Sequence, residues 1–389
     1  MLNKVKSAKG RIIGIDVSST AYGTGVSNYT LNLVRHLLKN DRQNTYKLFF
    51  SSLRLPLPKE ISELSKRYKN VSIHSYRLPL TLLAFLWNKL HILPIELFIG
   101  KCDIFHTSDW TQPPTIHAKT MATIHDLTPF LSPQWLHSKI VSTHYQKMYW
   151  ATKKCRHFIC VSENTKTDLL KIFPKISPQS CSVIYEAAED KYSQFLKLSP
   201  EIQKQKKDNI EKQYGLKKYI LSQGTREPRK NLPKLIAAFN LYQQKYPNSK
   251  VELAITGKYG WGKDVLHLKN HRIKILGYIP EKDMVALHAT AIFLAYPSLY
   301  EGFGLPLIKS MKVGVPVLTS NTSSMPEVVG KSGILVDPSS VDSIYQGLQK
   351  LLSSATLRKQ LSVKARQTAS KFSWDQTALN TLDIYSKLI

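Results

Sequence analysis

Apolar runs of four to eight residues, each closed by glycine, proline or polar turn residues, recur along the chain at 11–17, 46–51, 71–75, 103–107, 120–124, 157–161 and 182–185. A second series follows at 219–223, 251–256, 273–276, 291–296 and 315–319. Runs of this length and composition predict buried strands. Between them the apolar residues change to helical spacing. Val26, Tyr29, Leu33 and Leu37 share one face, as do Leu232, Leu235, Ile236 and Phe239. Strands that alternate with amphipathic helices predict an α/β protein built on parallel sheets. Residues 193–218 interrupt this rhythm, being polar and lysine-rich with no buried run. The expected organisation is a Rossmann-like domain over 1–195 and a second over 196–372. An amphipathic tail, 373–389, carries Trp374, Ala378, Leu382 and Tyr385.

The stretch 291–327, AIFLAYPSLYEGFGLPLIKSMKVGVPVLTSNTSSMPE, combines strand, glycine loop, helix and strand. Pro306 suits the first turn of that helix, where its missing N–H costs nothing. Ligands of such sheets sit beyond the carboxyl ends of the strands. The loop therefore offers one carboxylate, Glu301, and helix-start amides to a ligand with hydroxyls and an anionic part. The plainer alternative is that Glu301 caps the helix while Gly302 and Gly304 only make the turn. In GTREPRKNLPKLIAAF, Asn231 is a candidate cap, and Arg229 and Lys230 then stand together at a positive helix end. An anion such as a diphosphate would relieve their repulsion, with Arg offering a bidentate fork and Lys a compact charge. Solvated surface cations are the other reading. The opening strand runs into AYGTGVSN, a glycine loop with Gly23 and Gly25 that lacks the third glycine of a dinucleotide fingerprint. The strand 120–124 ends at His125 and Asp126, a pair able to meet a sugar hydroxyl or to serve as structural turn residues.

EGFGLP followed by VGVPVLTSN and MPE, together with GTREPRKNLP, HDLTPF and VSENTKTDLL, resembles the family 4 (group 1) retaining glycosyltransferases. The resemblance covers nearly the whole chain. It implies the GT-B arrangement, two Rossmann-like domains with parallel sheets facing a cleft. It also implies sugar transfer from a nucleotide-diphosphate sugar (GDP-mannose or a UDP-sugar) to a glycan or lipid-linked acceptor of cell-envelope polysaccharide synthesis, without a bound metal. The sequence holds no Asp-x-Asp string, in keeping with that. By the same resemblance His125 faces the donor sugar, Glu301 holds its hydroxyls, and Gly302, Phe303, Gly304 and Leu305 lie against sugar and phosphates. Arg229 and Lys230 then neutralise the diphosphate, and Gly25 lies across the cleft from it. The chain departs from the family at Lys309, where a second Glu that meets the nucleotide ribose is usual. On a helix beginning near Pro306, Lys309 is expected in the first turn, opposing the dipole. That departure leaves open a non-catalytic sugar-nucleotide- or glycan-binding homologue.

Composition narrows the setting. At 42% hydrophobic and 21% charged residues the chain reads as globular. The first seventeen residues hold too short an apolar run for a secretory signal. The most apolar window, 78–98, contains Pro79, Asn88, Lys89, His91, Pro94 and Glu96 and is not expected to span a bilayer. A cytoplasmic protein, peripheral on the cytosolic face of a membrane, is the expectation. Lys and Arg number 55 against 27 Asp and Glu, a net charge of +28. Such a field draws anionic membranes, phosphorylated ligands or nucleic acid. Nucleic acid ranks last, because no binding string or interleaved aromatics accompany the basic runs. The helical stripe Leu82, Leu83, Leu86, Trp87 and Leu90 reads either as core or as a face toward lipid. Four cysteines (Cys102, Cys155, Cys160, Cys181) without a CxxC pair are expected as free thiols.

Overall fold

The computed structural model describes residues 10–107, 110–261 and 270–389. Seven strands form the first sheet: β1 Ile12–Asp16, β2 Thr45–Ser51, β3 Val71–Tyr76, β4 Ile104–Thr107, β5 Lys119–Ile124, β6 Cys155–Cys160 and β7 Cys181–Val183. Their spatial order is β3-β2-β1-β4-β5-β6-β7. Six more form the second sheet: β8 Tyr219–Gln223, β9 Glu252–Thr256, β10 Ile273–Gly277, β11 Phe293–Tyr296, β12 Val317–Ser320 and β13 Gly333–Val336. Their order is β10-β9-β8-β11-β12-β13. Every described strand pairing is parallel. In each sheet the strand order reverses once, between β1 and β4 and between β8 and β11. Crevices for ligands open at such points.

Local sequence explains the helices that flank these crevices. Thr24 and Ser27 cap the helix Gly25–Asn40 reciprocally, and Tyr29, Leu33 and Leu37 turn inward. Ser162 accepts from the Thr165 amide and starts the helix Glu163–Ile172. The tail forms the helix Trp374–Leu388, packed on Gly25–Asn40. Trp374 meets the edge of Tyr29 at 5.7 Å, Asp375 binds His36, Lys39 and Asn40, and the Tyr385 hydroxyl lies 2.8 Å from His106 Nδ1. One apolar core runs from Ile13 and Leu48 through Tyr192 and Phe195 to Leu294 and Leu307, so apolar packing continues from one sheet to the other.

Three regions add to or alter what the sequence suggests. The stretch 193–218 is largely helical: Asp190–Phe195 and Pro200–Tyr214 occupy it, and Tyr192, Phe195 and Ile210 are buried. Lysines facing solvent masked a helix with only a thin apolar seam. The helix Ser138–Lys154, which brings His144 and Lys147 to the cleft, carries no clear apolar stripe and was not predicted. The stripe at 82–90 divides. Leu83 and Trp87 are buried, whereas Leu82, Phe85 and Leu90 are exposed. All four cysteines are free thiols. No helix among the described residues is long and apolar enough to cross a membrane.

Candidate active site

Arg229 and Lys230 close the short helical turn Pro228–Lys230 after β8, and Glu301 follows β11. These strands flank the reversal of the second sheet, which brings residues 71 positions apart into contact. Arg229 Nη1 donates to Glu301 Oε2 at 2.6 Å and to the Tyr300 carbonyl at 3.0 Å. Its Nε and Nη2 donate to Glu227 Oε1 at 3.1 and 2.7 Å. Lys230 Nζ donates to Glu301 Oε1 at 2.7 Å and to the Tyr296 hydroxyl. Burial pushes the Glu301 carboxyl up, but Arg229 and Lys230 outweigh it and hold it at about 2. Burial, with the adjacent guanidinium, draws the Lys230 ammonium below its ordinary value. Thus protein carboxylates already separate the two cations. Glu301 does not cap the following helix, whose first-turn amides receive no side chain. Asn231 lies in the left-handed region at φ 56° and makes no cap bond either; its amide nitrogen donates to the Pro297 and Pro338 carbonyls.

The glycines after Glu301 serve close approach. A Cβ at Gly302 would lie 1.6 Å from the His125 carbonyl oxygen, so the loop of the second sheet rests directly on the strand end of the first. Gly304 has φ 98° at the start of the helix Leu305–Lys312, a conformation that favours glycine. Phe303 is buried beside Tyr185 and Phe372. Further ties run between the halves. Thr165 donates to the Gly302 carbonyl, Tyr300 to Asp168, and the Glu163 and Asn164 amides to Glu327.

His125 follows β5 and faces the same cleft. Its Nδ1 lies 3.3 Å from Glu186 Oε1, and Tyr29 meets its ring edge-on at 4.6 Å. Its buried Nε2 has no hydrogen-bond partner among the described residues. Asp126 makes a turn, accepting from the Thr128 amide. The cleft encloses about 570 Å³, and its lining includes His125, Lys147 and Trp110 from one half with Glu227, Arg229 and Trp261 from the other. Among the described residues no group of three or more His, Cys, Asp or Glu is placed to hold a metal.

Gly25 and Lys309 lie differently from expectation. Gly25 is the first residue of its helix rather than part of a loop, and a Cβ there would meet nothing within 4 Å. Lys309 is the fifth residue of Leu305–Lys312, beyond the first turn. It is buried, with Nζ 3.1 Å from Glu189 Oε1 and 5.4 Å from the centre of the Tyr192 ring. Burial raises the Glu189 carboxyl, but Lys309 and Lys191 hold it below its ordinary value. Sequence reasoning missed Glu186, Glu189 and Glu227. Glu227 stands inside the string GTREPRKNLP but two places from the cations that drew attention there, whereas Glu186 and Glu189 stand in no distinctive string, and proximity to Arg229, His125 and Lys309 marks the three.

Two family descriptions match the chain side by side. Glycosyltransferase Family 4 covers residues 23–190, and Glycosyl transferases group 1 covers residues 203–368. O-antigen chain mannosyltransferase B of Escherichia coli is 28% identical over 387 residues, covering 94% of this chain and 96% of that protein. The serotype-specific mannosyltransferase WbdA of Escherichia coli is 26% identical over 311 residues, 76% of this chain but 36% of the relative. Among solved structures, HepE of Anabaena in complex with UDP-glucose superposes with a TM-score of 0.70 at 17% identity, covering 97% of this chain and 100% of that one. WaaG, a glycosyltransferase involved in lipopolysaccharide biosynthesis, gives a TM-score of 0.70 at 14% identity over 96% and 99%. Both likenesses bear on the fold, GT-B.

Proposed function

We propose that this chain, which belongs to the family 4, group 1 glycosyltransferases, moves a mannosyl group from a nucleoside-diphosphate sugar to a glycan acceptor of a cell-surface polysaccharide, with retention of configuration. The observation that carries this reading is the largely buried Arg229–Lys230–Glu301 cluster, whose Arg229 lines the same cleft as His125. Of the five guanidinium hydrogens of Arg229, four have partners among the described residues, and of the three on Lys230, two do. One donor on each cation remains for a diphosphate oxygen while Glu301 keeps both side chains in place. As the bond from the sugar to the diphosphate breaks, negative charge grows on the leaving oxygen. Fixed donors in a site shielded from water stabilise that charge most. Protein cations then do the work that a metal does elsewhere, and activity should survive a chelator.

Glu301 offers its remaining lone pairs to sugar hydroxyls, the Gly302–Leu305 backbone lies along sugar and phosphates, and His125 meets the sugar from the other half. The acceptor hydroxyl attacks from the face that the diphosphate leaves, and no protein nucleophile is assigned. The mannosyl group is inferred from the mannosyltransferases that the chain resembles, which makes GDP-mannose the first donor to test and UDP-glucose the comparison. An acceptor carried on a lipid would approach along the exposed Leu82, Phe85, Leu90, Ile92 and Leu97, and the chain's net charge of +28 would favour an anionic lipid. The test is incubation with each donor and a panel of glycan and lipid-linked acceptors, with and without EDTA. NMR of the product should show mannose transferred in the donor's own anomeric configuration. Donor binding without turnover across the panel, or an inverted product, would refute the reading.

A further inference from the structure

Two buried histidines and the half-buried His125 differ in how they use their ring nitrogens. His106 uses both ring nitrogens, with Tyr385 and Thr123, and His288 uses both, with Ser310 and Gln223. His125 uses one. Its Nδ1 reaches Glu186, while its buried Nε2 has no partner among the described residues although the residue lines the cleft. A buried polar atom without a partner costs free energy, and on a residue that lines a cleft a bound ligand can supply the missing partner. Everything else about the ring is held. Tyr29 stands against it at 83°, itself tied through its hydroxyl to Thr123, and Gly302 rests against the His125 carbonyl.

We propose that Glu186 is the positioning residue for His125. It lies beyond β7, two strands away from β5 in the sheet, and reaches across the end of β6 to the imidazole. The Glu186 residue is 5% exposed. A carboxylate has only lone pairs to offer, so the hydrogen between the two groups sits on Nδ1. In the neutral ring, the hydrogen bond at one nitrogen decides the state of the other. Nε2 is then a bare acceptor on a ring that lines the cleft, suited to a hydroxyl of the bound sugar and unable to donate to a phosphate. Glu186 thereby selects the hydroxyl-accepting form and fixes its direction. This rests on the reading that His125 meets the sugar, and the experiment separates the two.

Transfer kinetics would be measured for the full chain and for Glu186→Leu, Glu186→Gln and His125→Ala. The histidine rings would be followed by nitrogen-15 NMR, with the His125 signals identified by their loss in His125→Ala. The wild type should show hydrogen on Nδ1. Glu186→Leu should release hydrogen to Nε2 and lower kcat by about tenfold or more, the scale on which partners that orient a histidine act, with donor KM little changed. Glu186→Gln, whose amide oxygen still accepts, should recover part of both. A wild type with hydrogen on Nε2 would overturn the proposal even if Glu186→Leu failed to fold. So would a folded Glu186→Leu with wild-type kcat while His125→Ala is inactive. Full transfer by His125→Ala would instead overturn the underlying role of His125.

Discussion

At the scale of single residues, the buried charges here come in mutually satisfied sets, and removing one member strands the others. Glu301 is shared by Arg229 and Lys230, and Glu227 also relies on Arg229. Arg229→Ala therefore leaves two buried carboxylates short of a partner, which costs about 3–5 kcal/mol. Urea unfolding should record that loss, and calorimetry should record weaker GDP binding. Arg229→Lys keeps the charge but not the fork and should lose less stability. An alanine variant as stable as wild type would contradict the cluster. Lys309 obeys the same rule. Lys309→Glu restores the carboxylate usual in the family but sets it against Glu189 at what is now a 3.1 Å contact. The single change should lower stability by about 3–5 kcal/mol. Adding Glu189→Lys should recover most of it, whereas independent losses would show that the pair is not coupled.

At the scale of elements, buried histidines pin helices to sheets. His106 joins β4 to the C-terminal helix through Tyr385, and His288 joins the helix Glu281–Thr290 to Ser310 and to Gln223 of β8. Burial pushes both imidazoles down to about 3. Below the unfolded value of about 6.5 the unfolded chain takes up protons that the folded rings refuse. Their contribution is thus complete above pH 6.5 and is lost as pH falls toward 3. Each can cost at most about 1.4 kcal/mol per pH unit in that window. Glu301, held at about 2, adds its own loss only below the ordinary carboxylate range. Urea midpoints should therefore fall between pH 7 and pH 5, before most carboxylates titrate, and a flat profile would contradict neutral buried rings.

For the whole molecule, the two sheets bring their reversal points to one cleft, and polar ties hold the halves together around it. Glu327 of one half caps the helix Glu163–Ile172 of the other, and Tyr300 and Thr165 add bonds beside the site. Outside the cleft, a net charge of +28 and exposed Leu82, Phe85 and Leu90 suit an anionic bilayer better than a neutral one. Sedimentation with anionic vesicles should be strong at low salt and fall as the Debye length shrinks from about 30 Å at 0.01 M to about 3 Å at 1 M. Replacing Leu82, Phe85 and Leu90 by serine should weaken the part that survives high salt. No sedimentation at low salt would remove the membrane surface from the proposal.

The positions of β1 to β12, the alternation that dictates parallel sheets and the strings around Glu301, Arg229 and His125 were legible in the sequence, because periodicity and turn chemistry act over a few residues, whereas the short β13 was not read as a strand. The Pro200–Tyr214 helix was less so, since its single buried side chain, Ile210, leaves almost no stripe to read. Pairings between distant residues were out of reach. Nothing local tells Glu301 that it will hold Arg229 and Lys230, or tells Lys309 that Glu189 awaits it 120 positions earlier. The same applies to Glu186, an ordinary acidic residue until β7 sets it beside the ring of His125. Local preferences reside in neighbouring residues, whereas the partner of a buried charge is decided only when the sheets close and water leaves. Until then any carboxylate of the chain can be hydrated as well as any other; afterwards only the one within reach can replace that water.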